Sequence, residues 1–252
     1  MTAAGIRLAP AGGSDAARSI LRLLPEIARA EKVILGPRSQ AFEAGLGDRL
    51  AARVVACASH VGALVLALRT AGVERGDRVV LPAFAGGAAA AAAAAVGAEP
   101  LWADVVPGGT TLSAAEVERL GRGARAVVVV HAGAMADVPA IAAAGGAHGL
   151  RVVEDVGGGL GAARAGRAAG TWGDAAAVDL TGGCLRAPGE AGAVVTRDAE
   201  TERRCRMLRN HGQDGVHRFL HHEMGCNCRM DEVVAGLLGE RLPLLDEVLA
   251  RR

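Results

Sequence analysis

The chain of 252 residues contains one lysine, Lys32, among 28 basic side chains. Any chemistry that needs a side-chain amine therefore rests on one residue, placed near the end of an N-terminal helical stretch. Aromatic residues are almost as scarce, with no tyrosine, three phenylalanines and two tryptophans. The basic residues form no stripe interleaved with aromatics, and 27 acidic residues leave a net charge of +1, so nucleic acid is excluded as a partner. Long apolar runs are lacking too. The longest, AFAGGAAAAAAAAVGA at 83–98, is alanine-rich and broken by glycine, which makes a poor membrane span. The first 19 residues carry no apolar signal core. A soluble, cytoplasmic protein with no membrane partner is expected. Five cysteines, an odd number, point to reduced thiols rather than a disulfide framework.

What is present is a globular composition, 51% hydrophobic, in a chain long enough for one large core. Short apolar runs alternate with helical stretches. Strands are expected at 53–57, 77–82, 99–104, 124–130 and 150–155, and in the GAVVT run near 192. Helices are expected at 59–72, through the alanine run, at 113–121 and at 137–149. Ser113 and Glu116 have the spacing of a capping box, and Asp137 that of an N-cap. The β-branched run at 124–130 suits a strand buried on both faces. This order predicts an α/β fold with a mostly parallel central sheet flanked by helices. The last stretch, 230–252, is amphipathic and helical apart from Pro243, and no second domain is expected after it.

Several segments then occur in a familiar order: LGPRSQAFEAGL (35–46), ALVLALRTAGVERGDRVVLPAF (63–84), VVEDVGGGLGA (152–162), AGRAAGTWGDAAA (165–177), GAVVTRD (192–198), MLRNHGQ (207–213) and HHEMGCNCRMDE (221–232). In these the chain resembles the large domain of the DegT/DnrJ/EryC1/StrS sugar aminotransferases, fold-type I enzymes that use pyridoxal 5'-phosphate (PLP). The likeness runs from about residue 33. It divides the chain into an N-terminal helical segment, 1–32, and an aminotransferase-like large domain, 33–252, with the family's C-terminal small domain missing.

The resemblance also implies where a cofactor would sit, and there this chain departs from the family. The Schiff-base lysine, in a Ser-Phe-x-Pro-x-Lys context, falls on Gly183 or a neighbour. The phosphate-binding serine of that context aligns with Asp179, whose charge would repel a phosphate dianion. The Ser-Gly-Thr phosphate turn reads Ser59-His60-Val61. The ring-stacking aromatic aligns with Gly86, and the polar partner of the ring hydroxyl with Gly158. Asp155 alone matches its counterpart, the aspartate that pairs with the pyridinium nitrogen, although a carboxylate at a strand end also serves structural roles. With Ser59, His60, Asp155, Asp179 and Gly183 as a vestigial pocket, no catalytic residue and no bound cofactor are expected.

Other family residues persist. Gly225, Asn227 and Arg229 match a Gly-x-Asn-x-Arg segment that lies at the family's dimer interface, where the asparagine reaches the partner's phosphate. His211, in RNHGQ, belongs to the same region. These residues imply a dimer, with itself or with an intact aminotransferase homologue, in amino-sugar or aminocyclitol biosynthesis. The alternative is an enzyme using the remodelled cavity without PLP, through a thiol or a metal. Cys57, Cys184, Cys226 and Cys228, with His221 and His222 nearby, are the candidates, although their spacing is no recognised zinc pattern. A dinucleotide fingerprint at 154–162 is disfavoured because no helix is expected after it. His131 is expected to be packed or hydrogen-bonded rather than catalytic.

Overall fold

A computed structural model of the chain describes residues 13–217 and 219–251. After two helices, α1 (Gly13–Arg29) and α2 (Pro37–Leu50), the expected alternation follows: β1 (Arg53–Cys57), α3 (His60–Thr70), β2 (Arg78–Pro82), α4 (Gly87–Val96), β3 (Glu99–Ala103), α5 (Ala114–Leu120), β4 (Ala126–Val130), α6 (Val138–Gly146) and β5 (Arg151–Gly157). A small hairpin, β6 (Ala163–Arg164) and β7 (Arg167–Ala168), precedes β8 (Ala175–Asp179) and β9 (Gly192–Thr196). The chain ends in α7 (Ala199–Leu208), α8 (Glu232–Arg241), a 3-10 turn at Leu242–Leu244 that contains Pro243, and α9 (Leu245–Ala250). Proline breaks the final helix because it removes a donor and clashes with the preceding turn.

Seven strands form one sheet in the order β1-β9-β8-β5-β4-β2-β3. Every pairing is parallel except those of β9, which runs antiparallel to both β1 and β8. All five residues of β4 are buried, as are all five of β9, so the valine-rich runs are strands covered on both faces. The alanine run packs because it is small. Ala89, Ala92 and Ala93 form the buried face of α4, and a face without bulk lets α4 lie close against α3. Alanine also carries the best intrinsic helix propensity.

Caps set the helix starts. Asp137 accepts from Ala140 N at 3.2 Å, as its spacing predicted. The capping box at Ser113 and Glu116 does not form. Ser113 N already donates to Asp104 O at 3.2 Å, so the donor that Glu116 would reach is taken. Glu116 instead accepts from Asp104 N and pairs with Arg119 at 2.7 Å. At α2 the cap comes from far along the chain. Gly36 supplies no side chain, and buried Glu232 accepts from Gly36 N, Arg38 N and Ser39 N at 2.9–3.0 Å. A carboxylate there meets the unpaired amides and positive end of the helix.

α1 is not set apart from the rest. Leu23 and Ile27 bury against Leu237 of α8. The part of the 1–32 segment before residue 13 lies outside the described residues. No helix among the described residues is long and apolar enough to cross a membrane.

Candidate functional site

The parallel strands β4 and β5 end together beside the start of α3. They bound a cavity of about 590 Å³ lined by His60, Ala85, His131, Met135, Asp155 and Gly158, among other residues. Its wall is mostly alanine and glycine. Of the five residues expected in a vestigial pocket, His60 and Asp155 line it, while Ser59, Asp179 and Gly183 do not.

Asp155 is almost fully buried. Its carboxylate accepts from Gly157 N at 3.0 Å, across a bulge in the β5–β8 register. The same oxygen, Oδ1, lies 2.8 Å from Nε2 of His60. His60 is the first residue of α3, so the helix start aims its ring at the strand end. Burial alone would lower the pKa of His60. The hydrogen bond and charge of Asp155, with the charge of Asp179 added, outweigh that effect and raise it above the usual value.

Ser59 caps α3, its hydroxyl accepting from Gly62 N at 3.1 Å. Asp179 accepts from Thr181 N at 2.8 Å. Gly183 has φ of +62° with no atom within 4 Å of where a side chain would begin, a backbone that a lysine would adopt only with strain. Counting from Asp179 along Ser-Phe-x-Pro-x-Lys, the lysine position is the neighbouring Cys184. That thiol is buried 3.6 Å from Leu160 O. A side chain at Gly86 would start 2.3 Å from Pro82 O, so the present backbone admits no stacking ring there. These residues do not fit PLP: the carboxylate meant for its ring nitrogen holds an imidazole, and no amine stands at the lysine position.

His131 is a structural residue. Nδ1 accepts from Ala136 N at 3.2 Å, which puts the proton on Nε2, and Nε2 donates to Glu154 at 3.0 Å. Glu154, fully buried, also accepts from Gly170 N, Trp172 N and Gly173 N at 2.7–2.9 Å. It holds the turn after β7 against β5. Burial pushes its pKa up, but the bond from His131 and the amides of Gly173 and Gly170 carry it below the usual range. Nothing in the sequence singled out Glu154; its signal was only its place next to Asp155 in a strand that is otherwise apolar after Arg151.

The candidate thiols and imidazoles are brought together only in part. Hydrogen bonding links Cys228 to Cys226 and Cys57, favouring the thiolate at Cys228 and the protonated form at the other two. Cys184 packs in a different core cluster. His222 turns to Asp214 at 3.0 Å, and His221 donates to His211 O at 2.8 Å. Among the described residues no group of three or more histidine, cysteine or acidic side chains is arranged to hold a metal ion. The glycines after β5 lead into the β6–β7 hairpin, not into the helix that dinucleotide binding requires.

In the retained segment Cys226 and Asn227 are exposed, Gly225 and Arg229 are half-buried, and Cys228 is buried. Arg229 Nε donates to Asn227 Oδ1 at 2.9 Å, and Nη1 donates to Asn210 Oδ1 at 3.3 Å. Backbone bridges pair Asn210 with Asn227 and Cys57 with Arg229, which ties the segment to the end of β1. His211 is exposed, with φ of +60°. Arg209, two residues before it, belongs to the core: it donates to Glu43 and to Ala56 O, both at 2.6 Å.

A mostly parallel seven-stranded sheet flanked by helices is the architecture this chain shares with the solved aminotransferase structures it superposes on. The chain belongs to the DegT/DnrJ/EryC1/StrS aminotransferase family, whose model matches residues 15–252; the match begins inside α1, earlier than residue 33. It is 38% identical over 84% of its length to UDP-N-acetyl-3-dehydro-alpha-D-glucosamine 3-aminotransferase of Acidithiobacillus ferrooxidans, covering 58% of that protein. It is 35% identical to a pleiotropic regulatory protein of Geobacillus stearothermophilus, covering 92% of this chain and 63% of that one. Among solved structures, DesV of S. venezuelae, in complex with a ketimine intermediate, superposes with a TM-score of 0.85 at 35% identity, over 93% of this chain and 62% of that one. The chain thus spans about 60% of the length of the curated relatives it matches.

Proposed function

We propose that this chain is a catalytically inactive aminotransferase homologue that serves as the partner subunit of an intact aminotransferase in amino-sugar or aminocyclitol biosynthesis, in the cytoplasm. The observation that carries the reading is a contrast between two sites. Around the cavity, the positions of lysine, phosphate turn and stacking ring hold residues that cannot serve PLP. On the surface, Asn227, Arg229 and Asn210 keep a built hydrogen-bonded cluster facing solvent. In the loop that leads to it, Val216, Leu220 and Met224 are 79%, 47% and 81% exposed, apolar side chains of the kind that proteins cover with a partner. Asn227, through its amide, is the residue suited to reach into a partner's site; Arg229 fixes its orientation.

The test is size-exclusion chromatography with light scattering, on the chain alone and mixed with an intact family aminotransferase. A stable mixed dimer is expected. Separate elution of the two proteins at every ratio refutes the reading. A second reading, an enzyme that uses the cavity without PLP, is favoured by the His60–Asp155 pair beside open volume. It predicts activity in the isolated chain that His60→Gln abolishes.

A further inference from the structure

We propose that Cys226 and Cys228 form an oxidation-sensitive thiol pair, which a hydroperoxide closes into a reversible disulfide around Asn227. The bond itself does not depend on pairing with an aminotransferase. Where the chain pairs through Asn227, as proposed above, the bond also sets that contact by redox state, and this consequence rests on that reading.

The backbone brings the pair together. Cys228 N donates to Arg209 O, and His211 N to Cys226 O, each at 3.0 Å, on either side of the Asn210–Asn227 bridge. That is an antiparallel ladder, so the chain is extended from 226 to 228. Successive side chains then alternate: Cys226 and Cys228 share one face and Asn227 takes the other. Cys226 is exposed and meets solvent, whereas Cys228 is buried in one cluster with Cys57. A side chain at Gly62 would begin 2.4 Å from Cys228 Sγ, so that glycine makes room for the sulfur on the first turn of α3. There Cys226 and Cys57, then the amides of Ala58 and Ser59, hydrogen-bond to Cys228 and outweigh its burial, which favours the thiolate. Cys205, by contrast, is buried with its thiol pushed up to about 12, and Cys184 lies in another core cluster. The chemistry balances within the pair and one oxidant. The Cys228 thiolate takes the proton of Cys226 as the Cys226 sulfur attacks hydrogen peroxide; an S–O bond forms, the O–O bond breaks and hydroxide leaves. Cys226 is then a sulfenic acid. The Cys228 sulfur displaces its hydroxyl, which departs with the Cys228 proton as water, and the S–S bond closes. Two residues of strand span roughly 6.5 Å, whereas disulfide-linked Cα atoms lie about 5.5–6 Å apart, so closure pinches the backbone at Asn227.

Trypsin releases both cysteines on one peptide, 219–229, and Cys57 on another, so the bond is read by mass. The reduced full chain is treated with hydrogen peroxide at neutral pH, remaining thiols are blocked with N-ethylmaleimide, and the digest is weighed. Peptide 219–229 is expected to escape blocking and to be lighter by two hydrogen atoms, apart from any oxygen gained by Met224. Dithiothreitol should restore the mass, Cys57→Ser should behave as the parent, and chain unfolded in urea, which lacks the α3 amides, should close the bond more slowly. A cross-link between 219–229 and the Cys57 peptide overturns the proposal. So does an unchanged mass, a Cys226 oxidised to sulfinic acid while Cys228 stays open to blocking, or closure no faster in the native chain than in urea. The isolated chain is the sample, so the absence of a mixed dimer leaves this result standing, and a missing disulfide leaves the pairing reading standing.

Discussion

Replacing Glu154 by glutamine changes one oxygen into an NH₂ group and leaves the volume alone. In the folded protein Oε1 accepts from Trp172 N and Gly173 N, each at 2.7 Å, and Oε2 from Gly170 N at 2.9 Å and His131 Nε2 at 3.0 Å. Glutamine keeps one such pair of bonds and sets its amide donors against the donors of the other pair. With its oxygen towards Trp172 and Gly173, His131 cannot relieve the conflict by changing tautomer, because Nδ1 must stay an acceptor for Ala136 N. Two buried donors lose their acceptor at about 1–3 kcal/mol each, so the expected loss is roughly 2–6 kcal/mol. At roughly 2–4 °C per kcal/mol for a chain of this size, Tm should fall by about 4–24 °C. The acid limb gives a second readout. The pKa of Glu154 is held below the ordinary 4.5 in the folded state, so its stabilisation is complete above the unfolded value and is lost as pH falls from about 4.5 through the folded value. Denaturant unfolding from pH 7 to 3 should show a steeper loss in the parent than in Glu154→Gln. A variant within 2 °C or so of the parent, with a parallel acid limb, would refute the assigned network, since even one unsatisfied buried donor is expected to cost about 1 kcal/mol or more.

Incubation of the purified chain with PLP, followed by removal of excess, should leave no visible chromophore; a stable coloured complex would show that the rebuilt seat still accepts the cofactor. Asp179→Ser with Cys184→Lys should stay at the parent's PLP affinity while His60 holds Asp155, and should gain affinity only when His60→Gly is added; a gain by the double variant alone would show that His60 is no obstacle. Arg209→Ala removes one of two arginines from Glu43, leaving Arg206 and Ala56 N in place, and should cost about 1–3 kcal/mol, measured by denaturant unfolding, whereas Arg229→Ala should leave stability within about 0.5 kcal/mol of the parent and weaken the mixed dimer.

Strands were legible where apolar residues run unbroken, as at 54–57 and 126–130, because burial on both faces leaves no polar position in the run. The small hairpin at 163–168 and the antiparallel course of β9 were not. Each depends on where the chain returns, and local pattern carries no direction. The same limit governs the site. Family likeness marked the positions of Asp155 and His60 but gave no sign that the two would bond, since His60 stands where the family has glycine. Arg209 sits in a motif read as surface and reaches the core, where buried Glu43, 166 residues away, accepts from it. Glu154 and Glu232 hold backbone amides from distant turns, and a glutamate satisfied by far-off N–H groups looks in sequence like any other glutamate. The capping box failed for the converse reason: its spacing was right, but a neighbour in space had already taken the donor.

The central claim is that this chain acts through its surface on another subunit's site. The measurement is PLP retention and transaminase activity of an intact family aminotransferase during dialysis, alone, with this chain, and with its Asn227→Ala variant. The account predicts that the parent chain slows loss of PLP and raises activity, and that Asn227→Ala still binds but confers neither. Equal retention and activity in all three samples would contradict it.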